Sequence, residues 1–119
     1  MLFAELKNIA FDGFSDLNSV QKFILESEVI SLNVCLYIGV NGIDGADNFN
    51  AFLVNLNWIK NYIREHGIFI ESNTVIIDNF DDLDDVFNYL SSVVCRVYGE
   101  DWNEITHKLS QYFDWEYSE

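Results

Sequence analysis

The chain has 119 residues, half of them apolar and 16% aromatic, and its 6 basic and 20 acidic side chains leave a net charge of −14. That length and apolar content predict one compact domain over residues 1–119, with roughly two-thirds of the unfolded-chain surface removed from water. The negative field excludes direct binding to nucleic acid or anionic membrane, and Glu5, Lys7, Glu26, Glu28, Asn33 and Asp44 interrupt every long apolar run, so no membrane span is expected.

The first residues, MLFAELKNIAF, lack the basic start and unbroken apolar stretch of a signal peptide, so a cytoplasmic location is expected. They read instead as a strand, with Phe3, Glu5, Lys7 and Ile9 alternating against Leu2, Ala4 and Leu6. DGFSD makes a turn, and LNSVQKFIL has only a weak helical pattern. In VISLNVCLYI, residues 29–38, Ile30, Leu32, Val34, Leu36 and Ile38 share one strand face, opposite Ser31, Asn33, Cys35 and Tyr37. GVNGIDGAD has the Gly, Asn and Asp content of a hairpin loop, and NAFLVNL alternates again with Phe52, Val54 and Leu56 on one face. Together these segments predict an antiparallel hairpin.

A helix follows, capped by Asn55 or Asn57, striped by Trp58, Ile59, Tyr62 and Ile63, and stopped by Gly67. IFIE and TVIID, on either side of Ser72 and Asn73, predict a second hairpin. Residues 82–98 carry the clearest helical period, in Leu83, Val86, Phe87, Leu90, Val93, Val94 and Val97, with Gly99 as the stop. The last helix starts at DWNEI, where Asp101 and Glu104 have capping-box spacing, and runs through Ile105, Leu109, Tyr112 and Phe113. The sum is an α+β domain, an antiparallel sheet of about four to five strands with three helices packed on one face.

The acidic excess is uneven, with 8 acidic and 4 basic residues in 1–66 but 12 and 2 in 67–119. Its densest stretch is DNFDDLDDVF, which holds Asp78, Asp81, Asp82, Asp84 and Asp85. Carboxylates at a helix cap and first turn satisfy free backbone N–H groups and meet the positive end of the macrodipole. That role accounts for one or two of them. Five repel one another, so the cluster is also a candidate surface for a basic partner. The tail is the second candidate: Trp115 and Tyr117 offer ring area, while Asp114, Glu116 and Glu119 would meet lysine or arginine. DWEY also reads as a closing strand folded onto the core.

Neither DNFDDLDDVF nor DGADNFN has calcium-loop spacing, so no metal site is expected. His66 and His107 read as capping or surface residues, and no phosphate loop, nucleophile elbow or HExxH motif is present. No catalytic residue, enzyme activity or cofactor is expected. Cys35 and Cys95, each within an apolar segment, are expected to be free, buried thiols.

EDWNEITHKLSQYFDWEYSE resembles the C-terminal signature of the immunity protein 8 family, antidotes of bacterial polymorphic-toxin and contact-dependent growth inhibition systems. The matching positions are Trp102, Glu104, Ile105, Lys108 and Leu109, then Trp115, Glu116 and Tyr117. AELK at residues 4–7 resembles the family's opening. IGVNG, Gly45, Phe49, Phe52, Val54 and Trp58 resemble its hairpin and following helix. The chain departs from relatives in lacking a Gly-Arg pair at the start of IFIESNTVIIDNF and in having no proline. The resemblance implies a non-catalytic protein that binds and neutralises one cognate toxin C-terminal domain. Toxin nucleases must bind phosphate, so such a domain would be basic and an acidic surface would suit it. An acidic adaptor, or a nucleic-acid mimic blocking a DNA- or RNA-binding partner, is the alternative reading of the same charge.

Overall fold

The computed structural model describes residues 1–78 and 82–117, so Asp81 and Glu119 of the expected site lie outside the described residues. The sheet is built on β1 (Leu2–Phe11), β2 (Ser31–Val40) and β3 (Asp47–Val54), paired antiparallel in that order. β5 (Tyr98–Gly99) adds to the outer edge of β1. The free edge of β3 is shared end to end by β4 (Thr74–Ile76) and β6 (Asp114–Trp115), which pair with different residues of it. Strand order is β4-β3-β2-β1-β5.

Period-2 alternation places Leu32, Val34, Leu36 and Ile38 of β2 in the core beside Phe49, Ala51 and Leu53 of β3. β1 begins in the expected phase and then changes it. A bulge between Leu6 and Asn8 inserts one residue against β2, so Ile9 turns to the core face with Ala4 and Leu6 rather than following Phe3 and Glu5 outward.

Helices α1 (Leu17–Glu26), α3 (Leu83–Val94) and α4 (Trp102–Leu109) cover that face with Val20 and Ile24, Val86, Leu90 and Val94, and Ile105 and Leu109. Each fully buried Leu or Ile of this layer stabilises the fold by roughly 1.5–3 kcal/mol. Asp16 caps α1 by accepting from Ser19 N at 2.7 Å, which the weak pattern of LNSVQKFIL did not foretell. α4 forms half of the expected capping box: Asp101 accepts from Glu104 N at 2.8 Å, but the Glu104 carboxylate accepts from Glu100 N at 3.0 Å, one residue before the cap. These backbone hydrogen bonds are the main cause holding the carboxyls of Asp16 and Glu104 below their ordinary values of 3.8 and 4.5. Folded-state values below unfolded ones mean the caps contribute fully above those ordinary values, and the contribution is lost as pH falls through the lowered ones.

Three expectations are corrected. α2 (Leu56–His66) does not join the other helices; with it, four helices are present among the described residues, three on one face and one on the other. The reason is alternation: Phe52 points away from Ala51 and Leu53, and Trp58 follows it, edge-on at 5.2 Å. Tyr62 and Phe69 complete an aromatic cluster on that outer face, and Val54 is buried there outside the main core. Asn55 caps α2 by accepting from Trp58 N, and Gly67 ends it at φ 81°, both as expected.

The sheet is also mixed rather than purely antiparallel. IFIE and TVIID do not form a hairpin, because α2 carries the chain back so that β4 runs parallel to β3. The alternation in IFI is genuine but serves packing, with Phe69 turned to Trp58 and Ile68 and Ile70 exposed. Finally, α3 ends at Val94, capped by Cys95, rather than at residue 98, since Val97 turns aside and its carbonyl accepts from Ala4 N at 2.9 Å just before β5.

Candidate functional site

α3 begins where the aspartates crowd. Asp82 is its N-cap, accepting from Asp84 N at 2.9 Å, and Asp84 and Asp85 fill the first turn. Leu83 N donates to Gln21 Oε1 at 3.0 Å and ties this end of α3 to α1. Asp78, Asp82, Asp84 and Asp85 are all exposed. Among the described residues the ion pairs are Lys7–Glu5 and Lys108–Glu104, so none of these four aspartates has a cation of its own chain beside it. Capping explains Asp82; the neighbours remain uncompensated.

The tail folds as the closing strand. Asp114 and Trp115 pair with Asn50 and Phe49, and Glu116 bridges to Asn48 through its backbone N–H at 2.9 Å and through Oε1, which accepts from Asn48 N at 2.9 Å. Trp115 stacks on Phe49 at 6.4 Å and is half-buried, whereas Tyr117 packs edge-on against it and is otherwise exposed. The indole Nε1 of Trp115 donates to Asp47 Oδ2 at 3.1 Å, and Trp102 Nε1 donates to the same oxygen at 2.9 Å. One carboxylate thus joins β3, β6 and the first turn of α4. The two acidic segments do not meet. Asp114 pairs beside Asn50 while Asp78 lies beyond Ile76, which pairs with Val54, a separation of roughly 20 Å along β3.

A groove that the sequence reading missed runs between β4 and α3. One part, about 370 Å³, is walled by Val75, Ile76, Ile77, Asp78, Tyr89, Leu90 and Val93. It continues past Val75, Leu90 and Val93 into a second part of about 310 Å³, closed by Gln111, Tyr112 and Phe113. Ile76, Tyr89, Val93 and Tyr112 are 50, 46, 42 and 50% exposed. Val93 belongs to the helical period of residues 82–98, yet it faces outward. Tyr89 four residues before it was the available signal, since two large side chains at that spacing on the shoulder of the Val86–Leu90–Val94 stripe make a second, outward-facing row.

The histidines do not converge. His66 stacks on Tyr62 at the end of α2 on the outer face, and His107 is exposed on α4 on the other. Among the described residues no group of three or more His, Cys, Asp or Glu is arranged to hold a metal ion, and no helix is long and apolar enough to cross a membrane. Both cysteines are free, but the expectation that both are buried is corrected: Cys95 is exposed at the end of α3 and Cys35 is half-buried on the outer face of β2. They lie on opposite sides of the sheet, which prevents a disulfide. Burial raises the Cys35 thiol above the usual range; the charges of Asp12 and Glu116 add to this, and a hydrogen bond with Tyr37 offsets it in part. A thiol reagent on native protein at neutral pH should therefore modify Cys95 roughly tenfold faster than Cys35. Peptide mapping of partly labelled protein checks this, and equal rates would contradict it.

No curated protein and no solved structure gave a significant match to the chain. The family model for immunity protein 8 matches residues 4–119, a span that takes in every helix described above, every strand but the first two residues of β1, and both indole donors to Asp47. The chain belongs to the immunity protein 8 family.

Proposed function

We propose that this protein is the antidote of a bacterial polymorphic-toxin system of the contact-dependent growth inhibition kind, acting in the cytoplasm by binding a cognate toxin C-terminal domain and blocking it without catalysis. The family match over residues 4–119 carries this reading. The partner's character follows from charge: a net −14, with exposed aspartates that no cation of the chain neutralises among the described residues, favours a basic domain such as a nuclease.

The test is growth. Cells producing the C-terminal domain of the polypeptide encoded immediately upstream should stop dividing, and co-production of this protein should restore growth. Growth arrest that persists despite folded, abundant protein would refute the reading.

Charge steering gives a second expectation. Replacing Asp81, Asp82, Asp84 and Asp85 with asparagine preserves size and capping ability, so the fold should hold. Association with the toxin domain should slow by roughly tenfold at low ionic strength, and the deficit should shrink as salt screens the field. Stopped-flow association rates at two salt concentrations measure this; identical rates for both proteins at low salt would remove the cluster from the binding surface. The same exchange at Asp114, Glu116 and Glu119 asks whether the tail steers instead.

A further inference from the structure

We infer that the toxin docks in the groove between β4 and α3, burying an apolar side chain against Val75, Leu90 and Val93 and setting lysine or arginine against Asp78, Asp82 and Asp85. This inference rests on the toxin-binding reading above. It goes beyond it by naming the surface, and it makes the apolar groove the anchor and the aspartates its rim.

The groove is apolar where an isolated domain gains nothing from exposing apolar surface. Ile76, Tyr89, Val93 and Tyr112 stand around it, each at least two-fifths exposed. Contiguous exposed apolar surface bordered by charge marks an interaction site.

β4 is also an open edge. It ends the sheet, and its three residues, Thr74, Val75 and Ile76, are all β-branched. Its three-residue length limits what can pair with it, but lysine, proline and bulges, other devices that blunt an edge strand, are missing from it. Backbone groups of β4 that face away from β3 are available to an extended segment of a partner, which would add as a further strand while its side chains enter the groove.

Charge sets the direction of the occupant. Asp82, Asp85, Tyr89 and Val93 follow one another at steps of three and four along α3, so the acidic end of the helix leads directly into the apolar wall. Asp78 lines the groove beside Ile77. At the far end, beyond Val93 and Tyr112, the surface carries Arg96, beside Lys108, whose charge is paired with Glu104. An occupant with its basic end toward Asp78 is complementary to the acidic rim, and the reverse orientation sets its cations beside Arg96.

The probe is the C-terminal domain encoded immediately upstream, and two measurements are needed. Hydrogen exchange on wild-type protein with and without that domain should show new protection at residues 74–77 and along 85–93. The variant Tyr89→Ala/Val93→Ala trims two half-exposed side chains and should keep its thermal transition. Its affinity should fall roughly a hundredfold, because truncating aromatic and apolar anchors at the centre of an interface has the largest effect. Protection confined to the 41–46 loop, the outer face around α2 or the tail, or full affinity in the double variant, would overturn the site while leaving toxin binding intact. If the wild-type protein forms no complex with the domain, both the site and the toxin-binding reading fall. Should the variant unfold, the exchange pattern of the wild-type complex decides alone.

Discussion

Alanine at Gly39 is expected to lower stability by about 3 kcal/mol, because overpacking a closed site costs about that much when backbone must move. Gly39 is buried in β2 opposite Glu5. Its open side is covered by the 41–46 loop: a methyl there would fall inside the van der Waals shell of the Gly45 carbonyl oxygen, and within 3.3 Å of Lys7 Cε. The obstacle is backbone, so it cannot rotate away as a side chain would. The loop is also held in place. Lys7, the residue inserted by the β1 bulge, donates from Nζ to the Ile43 carbonyl at 2.8 Å and pairs with Glu5 at 3.0 Å. Relieving the clash requires lifting the loop and breaking that anchor. For a domain of this size the melting temperature should drop by roughly 10 °C or more. A thermal transition unchanged within a degree or two would show that the loop does not lie over Gly39.

Asp47→Ala is expected to destabilise the protein by about 2–4 kcal/mol. The carboxylate oxygen Oδ2 accepts from both Trp102 and Trp115, and both rings are half-buried. Removing it strands two indole N–H groups, and each donor left unpaired out of water costs about 1–3 kcal/mol. The loss should be distributed rather than local, since one atom links β3, α4 and β6. Asp47→Asn keeps an acceptor oxygen in nearly the same place but loses the charge, so it should cost less than half as much. Denaturant midpoints of the two variants, read through tryptophan emission, measure the difference. Equal effects of Ala and Asn would mean the oxygen's hydrogen bonds contribute nothing, and the account of the closing strand would fail.

Much of this fold was legible because periodicity is a local property. The β2–β3 hairpin, the Asn55 and Asp101 caps and the Gly67 stop are each written within a few residues and appear where expected. What failed depended on pairings across the chain. The bulge at Lys7 is set by the register against β2, so the phase of Ile9 was invisible in β1 alone. TVIID alternates equally well in a hairpin or in a parallel strand, and only the passage of α2 over the outer face decides between them. Asp47 illustrates the same limit for the site. Nothing near it in sequence announces the two tryptophans, which lie 55 and 68 residues away. Conversely, the aspartate cluster was easy to find because its members are adjacent, while the groove beside it needed β4, α3 and Tyr112 brought together.

An antidote of the proposed kind neutralises a toxin domain by stoichiometric capture rather than by turnover. Titrating the purified protein into a fixed amount of the upstream-encoded toxin domain, while following that domain's activity, tests it most directly. The predicted result is a linear fall that reaches zero at one equivalent and does not deepen with time. Inactivation by substoichiometric amounts would make the protein a catalyst, and undiminished activity at excess would mean that it is not the antidote of that toxin.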